Sequence, residues 1–427
     1  MMFFCKQVSK LLNPVKRVTL GNNLDFVVYD SAESVNAEEW NGVLQGKNVF
    51  LELEYLKTIE LTPSENFQAR YVIIYQKKQP YAIAYFQVID FKSEVFGELM
   101  DSQVNQIKTT KAKLFEHYLE QNKDEVVMRL LTCGNNLVSG EHAFLFNSKL
   151  TQNQQFKIIE ELIDKIAAKE KLRGKIAAVL VKDFNLPVDG NLKQGMGMPK
   201  CIFKNINYLE FKVEPNMVVN IPNGIGSIEA YLNLFSKKYR NRAKGILKNT
   251  GAISKRNLTA AEIKQHEKEI YQLYENVYNN AKFKLVKLPL KYFEECKKIF
   301  GDKFIFTAFY HYGKLVAFSS GLNISGSCYE AHYIGLDYGS NKELELYQNI
   351  LYEFLSVAIS FRKQRLNLGR TAAEIKSTIG AKPQELICYV KPQNTISKVV
   401  LKPFMNFLKP SEWIPRNPFK DELEINY

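Results

Sequence analysis

The clearest pattern of apolar and polar positions lies between residues 338 and 380, and it begins with a long predicted helix. Ser340 and Glu343 have the spacing of a capping box, in which each side chain bonds a free backbone N–H at the helix start. Arg362 and Lys363 suit the negative end of the helix dipole, so the helix is predicted to end there. Between these ends, apolar residues recur at helical spacing and predict one buried stripe: Tyr347, Ile350, Leu351, Phe354, Ala358 and Phe361.

A strand and a capped turn are predicted after this helix. Residues 366–368 alternate between apolar and polar, and Gly369 permits a sharp turn of the backbone. Thr371 and Glu374 have the spacing of a second capping box, which predicts a short helix that ends at Gly380. A helix start just past a strand is a common place for an anion or a carbonyl group. A well-capped connection without any ligand has the same pattern, so both interpretations stay open.

Two predicted hairpins repeat one another at a separation of roughly half the chain. Residues 71–75 and 81–85 form the first, and residues 306–310 and 315–319 form the second; each pair flanks a short polar turn. Helices precede both hairpins, and further strands and a helix follow them. This matching order suggests a duplicated α/β unit.

The repeat and the loop signals predict how the chain divides. Residues 1–24 form a basic lead-in, 25–222 a first domain, 223–395 a second domain, and 396–427 a basic and aromatic tail. The boundary falls at the Pro-Asn-Gly-Ile-Gly run of residues 222–226, because Pro and Gly interrupt helices and strands there.

Composition is that of a folded protein with basic character. The chain has 427 residues, long enough for two or three domains, and a formal net charge of +13. This charge favours anionic partners such as CoA phosphates, tRNA or an acidic membrane surface. An ordinary basic cytosolic protein has the same charge, so this alternative also stays open.

The sequence carries few signs of metals, disulfides or membrane insertion. Its six cysteines are isolated and its five histidines form no His-x-x-x-His pair, so we expect reduced thiols and no metal site. No apolar run approaches the length needed to span a bilayer, and the first residues lack the continuous apolar core of a signal peptide. We therefore expect a cytoplasmic protein.

Three segments together carry a resemblance to known proteins. Residues 231–242 (YLNLFSKKYRNR), 331–337 (AHYIGLD) and 369–380 (GRTAAEIKSTIG) resemble, in this order, motifs of the Fem-type peptidoglycan aminoacyltransferases and the related group of tandem acetyltransferase-like (GNAT) N-acyltransferases. The resemblance implies an α/β (α+β) fold of two tandem GNAT-like domains, with mixed, mainly antiparallel sheets flanked by helices. It also implies an acyltransferase whose second domain carries the site.

The sequence departs from this group at the donor site. Neither half has the Q/R-x-x-G-x-G/A loop with which ordinary acetyltransferases bind the CoA pyrophosphate; residues 337–342 read DYGSNK instead. The helical-hairpin arm with which some Fem-type enzymes engage tRNA has no counterpart either. We therefore expect acyl-CoA, or an acyl carrier, as the donor, with tRNA as the alternative.

Glu330 and His332 are the candidate catalytic residues. They lie two apart on a predicted strand and therefore share a face. Either side chain can take a proton from the attacking amine, directly or through water. The alternative is a hydrogen-bonded core histidine and a surface glutamate.

Six residues in the resembling segments are predicted to bind substrate: Tyr239, Arg240, Arg242, Arg370, Thr371 and Lys376. Arginine can bind a phosphate or carboxylate through two parallel hydrogen bonds, and lysine through one charged group. A solvated basic helix face and an exposed lysine have the same pattern. No residue is predicted to bind a cofactor.

We expect an N-acyltransferase that moves an acyl group from acyl-CoA, or an acyl carrier, to the amine of a small molecule or lipid. The first alternative is an aminoacyl-tRNA-dependent Fem-type transferase in peptidoglycan bridge synthesis. The second is a non-catalytic tandem-GNAT protein that binds acyl groups or nucleotides. The tail from residue 396 suits either peripheral contact with the inner membrane face or packing across the domains.

Overall fold

The computed structural model describes residues 17–61, 67–92, 126–185, 207–249, 252–281, 286–323, 326–394, 397–398, 401, 405 and 409–420. Most of the predicted lead-in and much of the tail between residues 396 and 408 therefore lie outside the described residues. The elements below are numbered in chain order among the described residues.

Fourteen strands form one continuous mixed sheet. Its order is β1-β2-β3-β4-β5-β7-β14-β8-β13-β12-β11-β10-β9, and β6 pairs with β4. The strands are β1 Val18–Leu20, β2 Leu24–Tyr29, β3 Phe67–Gln76, β4 Gln79–Lys92, β5 Val126–Cys133, β6 Phe144–Phe146, β7 Ala178–Asn185, β8 Leu209–Asn220, β9 Ile253–Asn257, β10 Phe304–His311, β11 Lys314–Asn323, β12 Cys328–Leu336, β13 Arg365–Asn367 and β14 Lys382–Pro392.

Helices pack on both faces of this sheet. They are α1 Ala37–Leu44, α2 Leu53–Glu60, α3 Gln152–Glu170, α4 Ile228–Leu232, α5 Lys237–Asn249, α6 Ala260–Gln265, α7 Glu267–Asn280, α8 Tyr292–Phe300, α9 Tyr338–Leu344, α10 Leu346–Ser360 and α11 Ala373–Ser377. Short 3-10 turns lie at Ala32–Ser34, Val49–Leu51 and Gly301–Lys303.

The two faces of the sheet differ in how they join the halves of the chain. On one face, α1, α2 and α6–α8 share a single apolar core that spans both halves. Tyr55 of α2 and Tyr292 of α8 meet in it, with their hydroxyls 3.1 Å apart. On the other face α3 covers the first half, and α4, α5 and α10 cover the second, in two separate cores. Strands in the middle are buried on both faces, which explains their continuous apolar runs.

The two hairpins repeat one another in register as well as in pattern. In the first, β3 and β4, the pairing shifts between Ile74 and Tyr75. In the second, β10 and β11, it shifts between Phe309 and Tyr310. These are the same two positions when the hairpins are aligned on their sequences, so the shared irregularity supports the duplicated unit.

The halves exchange strands where they meet. β8 precedes the predicted boundary at residues 222–226, yet it pairs with β13 and β14 of the second half. β14 ends the second half, yet it also pairs with β7 of the first. The alternation of apolar residues shows which positions are buried but not which strand lies alongside, so the sequence missed this exchange. The position of the domain boundary stays a prediction.

The long helix predicted from Ser340 is interrupted, and its predicted cap is wrong. Asp337 caps α9 by accepting a hydrogen bond from the backbone N–H of Gly339. Because Asp is a strong N-cap residue, the helix begins three residues before the predicted start. Glu345 has a left-handed backbone (φ 47°) and separates α9 from α10.

The capping box predicted at Thr371 and Glu374 is also wrong. Thr371 (φ 65°) and Ala372 (φ 50°) are both left-handed, and α11 begins at Ala373 without a side-chain cap. The sharp turn out of β13 requires these backbone angles, and they take the Thr371 side chain away from the helix start.

Candidate functional site

The strands β12 and β13 form a short parallel pair and then separate. They pair over residues 328–330 and 365–367. Within the described part of the chain, residues 331–336 pair with β11 alone, so their other edge has no strand partner. Gly369 (φ 67°) turns the chain away from β13. Backbone N–H groups along such an edge are donors that can stabilise a developing oxyanion.

A bulge in β12 lies beside this gap. Three residues of β11 (319–321) lie opposite four residues of β12 (331–334), so β12 has one extra residue here. The backbone N–H of Tyr333 donates to Ser320 Oγ at 3.0 Å, and this hydroxyl donates to the Tyr333 carbonyl at 2.8 Å. Bulges redirect backbone and side chains beside functional sites. Ser320 therefore fixes the shape of the free edge.

Glu330 stands where the two strands separate, because it is the last β12 residue that pairs with β13. Cys328 Sγ donates to its Oε1 at 3.2 Å. Burial raises the pKa of Glu330, and the hydrogen bond from Cys328 opposes this shift more weakly. A carboxylate with a raised pKa is the better proton acceptor. The geometry fits the predicted role, which stays a prediction.

His332 lies among aromatic side chains between the two halves. Its Nε2 is 2.5 Å from the Tyr292 hydroxyl, and the rings of Phe50 and Tyr292 stack on it at interplanar angles of 24° and 27°. Burial lowers its pKa to about 3, so the ring is neutral near pH 7 and accepts the hydrogen bond from Tyr292. These contacts favour the core-histidine alternative, and the catalytic role of His332 stays a prediction.

Lys376 holds the turn that leaves β13. It is only 5% exposed, and its Nζ donates to the carbonyls of Leu368, Gly369 and Arg370 at 2.8, 3.3 and 2.6 Å. Burial lowers its pKa to about 7. The exposed-lysine alternative is therefore wrong. A direct contact between Lys376 and substrate stays a prediction.

Arg370 joins the two halves. Its guanidinium binds the buried carboxylate of Asp183 in β7. Among the described residues its Nε is buried without a hydrogen-bond partner. Thr371, the next residue, is exposed. Arg370 is therefore bound to the first half, whereas the Thr371 side chain is in contact with solvent. Their predicted contacts with substrate stay predictions.

A buried charge network behind Arg370 was not predicted. Lys182 Nζ donates to the carbonyls of Asn135 and Val138 at 2.8 and 2.7 Å and lies 2.5 Å from Asp183 Oδ2. The Tyr333 hydroxyl, from the β12 bulge, donates to the Leu137 carbonyl in the same loop at 2.5 Å. The first half thus supports the free edge of the second. A lysine and an aspartate at the end of an apolar strand were the available sequence signal.

The helix α5 carries a basic face. Six of its residues are cations: Lys237, Lys238, Arg240, Arg242, Lys244 and Lys248. None of the six forms an ion pair with a carboxylate that the structure describes. Four or more unpaired cations on one helix attract polyanions or anionic surfaces, so the predicted basic face is present.

Two of the predicted substrate residues, Tyr239 and Arg242, line a cleft of about 710 Å³. Its other walls come from β8, the start of α10, residues 372–378 and the tail segment 410–416. Ala372, a lining residue, follows two positions after the turn of residues 368–370 whose carbonyls bind Lys376. The other predicted site residues are not among its lining: Arg240, Glu330, His332, Arg370, Thr371 and Lys376.

One wall of this cleft is formed by the C-terminal tail, for which the sequence left two alternatives open. The backbone N–H of Arg416 donates to Ser377 Oγ at 3.0 Å, and its Nε donates to Glu374 at 3.1 Å. Phe419 pairs with Phe235 and packs in the core of the second half. Residues 409–420 therefore pack against the second half and against β8, while packing across the two domains and membrane contact both stay predictions.

The starts of α9, which follows β12, and of α3, in the first half, both carry their own side-chain caps. At α9, the Asp337 carboxylate accepts from Gly339 N and from Ser340 Oγ, each at 3.0 Å. At α3, Thr151 and Gln154 form a capping box. A carboxylate at a helix start repels a phosphate. This geometry agrees with the missing CoA loop in the sequence.

The described residues also lack the features of a metal centre and of a membrane-spanning helix. No group of three His, Cys, Asp or Glu side chains among them is arranged to hold a metal ion. None of the helices described here is both long and apolar enough to cross a bilayer.

Comparison with solved structures shows the fold. FemX superposes with a TM-score of 0.50 at 11% identity, over 86% of this chain and 98% of FemX. A tandem GNAT protein from the clavulanic acid biosynthesis pathway gives 0.47 at 7% identity, over 87% and 99%. The C-terminal domain of a lysylphosphatidylglycerol synthetase from Agrobacterium fabrum gives 0.44 at 8% identity, over 87% and 96%. Neither a known family profile nor a curated protein sequence matches the chain.

The chain therefore has the fold of GNAT-like acyltransferases. The superposition covers nearly the whole of FemX, so the predicted tandem-GNAT, Fem-type fold is confirmed. The separate sheets expected for two domains are joined into one by the exchange of β8 and β14.

Proposed function

We propose that this chain is an N-acyltransferase that moves an acyl group from an activated donor to an amine. The observation that carries the proposal is the gap between β12 and β13, where the bulged edge of β12 has no strand partner among the described residues. An acyl carbonyl on this edge would accept hydrogen bonds from backbone N–H groups, which would stabilise the oxyanion of the tetrahedral intermediate.

The residues at the gap support a direct transfer. The amine nitrogen attacks the carbonyl carbon, and the bond from this carbon to the donor's sulfur or oxygen breaks. Glu330 accepts the proton that the amine loses, directly or through water, and the leaving group takes it up. Glu330 suits this role better than His332, because burial raises the pKa of the carboxyl but lowers that of the imidazole.

Acyl-CoA is the first donor to test, and the acceptor is the amine of a small molecule or lipid. The experiment measures thiol release from acetyl-CoA and palmitoyl-CoA with a panel of amines, for the wild type and for Glu330→Gln. We expect turnover that depends on the amine and is lost in Glu330→Gln. Thermal midpoints of both proteins, with and without donor, show whether the variant still folds and binds.

A second candidate function is transfer from an aminoacyl-tRNA. Two observations favour it: the unpaired cations of α5, and the carboxylate of Asp337 at the helix start that would otherwise hold the CoA pyrophosphate. If tRNA is the donor, its affinity falls steeply with salt, and neutralising Lys244 and Lys248 reduces the slope. Turnover with acyl-CoA and no salt-dependent binding of tRNA would exclude this candidate.

The non-catalytic alternative is decided by the same measurements. A midpoint raised by a donor, without any transfer to the amines of the panel or from aminoacyl-tRNA, would leave a binding protein with an acyltransferase fold. Transfer from either donor would exclude it.

A further inference from the structure

The cleft, whose lining includes residues just after the turn that leaves β13, has cations on one wall and carboxylates on others. Lys238 and Arg242 lie four residues apart on α5, so they share a helix face, and both line the cleft. Both are exposed, and neither forms an ion pair with a carboxylate within the described ranges. One wall therefore offers two cations to a carboxylate.

Acidic side chains face these cations from the other walls. Glu214 lies at a bulge of β8, where four residues of β8 (213–216) lie opposite three residues of β14 (384–386). Ser411 Oγ donates to its Oε1 at 3.0 Å. Glu412 follows in the tail wall and is exposed. Glu374 also lines the cleft, but it already binds Arg416. Two carboxylates are thus available to a ligand's ammonium.

The remaining lining is suited to the body of a small ligand. Trp413 and Ile375 are apolar and half-buried. Gln348 Oε1 is buried and, among the described residues, has no hydrogen-bond partner, so it is an acceptor ready for a ligand N–H. The cleft volume of about 710 Å³ falls within the range of small-molecule sites.

We propose that the cleft binds an amino acid or a short peptide as the acceptor, with its carboxylate on Lys238 and Arg242 and its ammonium on Glu214 and Glu412. The ammonium gives one proton to water or to one of these carboxylates before its nitrogen attacks, and Glu330 accepts the second proton after the new bond forms. This inference rests on the proposed N-acyltransferase function, because it names the substrate that supplies the amine. Glu214 also opposes the lowering of the Lys376 pKa, so the cleft is coupled electrostatically to the turn beside the gap.

The test uses three probes with the same dipeptide body and different terminal charges: glycyl-leucine, N-acetyl-glycyl-leucine, which lacks the ammonium, and glycyl-leucinamide, which lacks the carboxylate. Calorimetry on the full chain is expected to show binding of glycyl-leucine, and affinity at least about tenfold lower for each capped probe, since a lost ion pair of about 1.4 kcal/mol is a factor of ten. Equal binding of all three probes, or binding of none, would overturn the proposal.

Paired variants locate the two charges. The double variant Lys238→Gln, Arg242→Gln is expected to bind glycyl-leucine and glycyl-leucinamide equally. The double variant Glu214→Gln, Glu412→Gln is expected to bind glycyl-leucine and its N-acetyl form equally. Lys244→Gln is the control, because it removes a cation from the same helix outside the cleft lining. If Lys244→Gln acts like the first double variant, the effect is general charge and the proposed contacts are wrong.

Turnover separates this inference from the proposed function. Charge-selective binding without acyl transfer from any donor would leave the cleft assignment standing and reject the N-acyltransferase. Acyl transfer with the same kcat/KM for glycyl-leucine and glycyl-leucinamide would retain the enzyme and reject the cleft as the site of its acceptor.

Discussion

The two halves of the chain share one plan but treat the gap in the sheet differently. In the first half, β5 and β7 pair in parallel, and the loop after β5 folds back against β7, where Lys182 binds the carbonyls of Asn135 and Val138. In the second half, no described residue pairs with the free edge of β12, and Lys376 instead holds the turn away from it. In the first half, buried Lys182 thus fixes the loop that fills the gap. In the second half, buried Lys376 fixes the turn that leads away from the gap.

This difference suggests a division of labour. Among the described residues of the first half, β5 is paired with β7 up to its last residue, Cys133, and the loop that follows carries the carbonyl that accepts a hydrogen bond from Tyr333. We therefore expect the first half to act as a support for the β12 bulge, while the second half provides the reacting surface. We make four predictions from this contrast, in order of decreasing effect.

The first concerns the buried network that joins the halves. Lys182 and Arg370 both bind the carboxylate of Asp183, so Asp183→Asn leaves two buried cations without their anion. The free energy of unfolding in urea is expected to fall by about 3–5 kcal/mol.

A matched control for this prediction is Glu385→Gln, which removes a surface pair with Lys212. The side chains of Lys212 and Glu385 are 57% and 40% exposed, so the loss should be under about 1 kcal/mol. If Asp183→Asn is no more destabilising than this control, the network does not hold the halves together.

The second prediction separates the two candidate catalytic residues. Glu330→Gln is expected to lower kcat by about 100-fold or more, because it removes the proton acceptor, while the fold is retained. His332→Ala is expected to lower the free energy of unfolding by about 1–3 kcal/mol, because it removes a ring from the shared aromatic core. Turnover that falls further in His332→Ala than in Glu330→Gln, at equal folded fraction, would reverse the assignment.

The third prediction concerns the lysine of the open gap. Burial lowers the folded-state pKa of Lys376 to about 7, so between about pH 7 and 10 the unfolded state binds more protons. The free energy of unfolding of the wild type, relative to Lys376→Met, is expected to rise by roughly 1 kcal/mol per pH unit over this window. A difference that does not change with pH would mean that the three carbonyls keep the ammonium charged.

The fourth prediction compares the helix starts of the two halves. Thr151→Ala and Asp337→Ala each remove a side-chain cap, and each should lower the free energy of unfolding by about 1 kcal/mol. Thermal and urea unfolding measure both. An Asp337→Ala protein as stable as the wild type would show that the carboxylate is not needed as a cap and is placed there for another purpose.

The sequence predicted the strands and the repeat because local alternation and turn residues determine them. The meander of residues 304–336 and the short strand at residues 366–368 are both present. The exchange of β8 and β14 was missed, because strand partners are set by contacts far apart in the sequence. For the same reason the aromatic partner of His332, Tyr292, was not foreseen.

Sequence reasoning named some of the residues that line the cleft, Tyr239 and Arg242, and their roles stay predictions. Lys376 was predicted to contact substrate, with an exposed lysine as the alternative. Its burial was not predicted, because a short helix gives no sign of how deeply it lies. Glu214 and Trp413 were missed as lining residues, since a β-bulge and a tail that folds back leave no local pattern.

We propose that the free edge of β12, rather than the filled gap of the first half, receives the donor. Hydrogen exchange of the full chain, measured with and without acetyl-CoA, palmitoyl-CoA or aminoacyl-tRNA, distinguishes the two places. One donor is expected to slow exchange in peptides covering residues 331–336 and to leave residues 134–142 unchanged. Protection confined to residues 134–142, or no protection of residues 331–336 by any of these donors, would contradict this proposal.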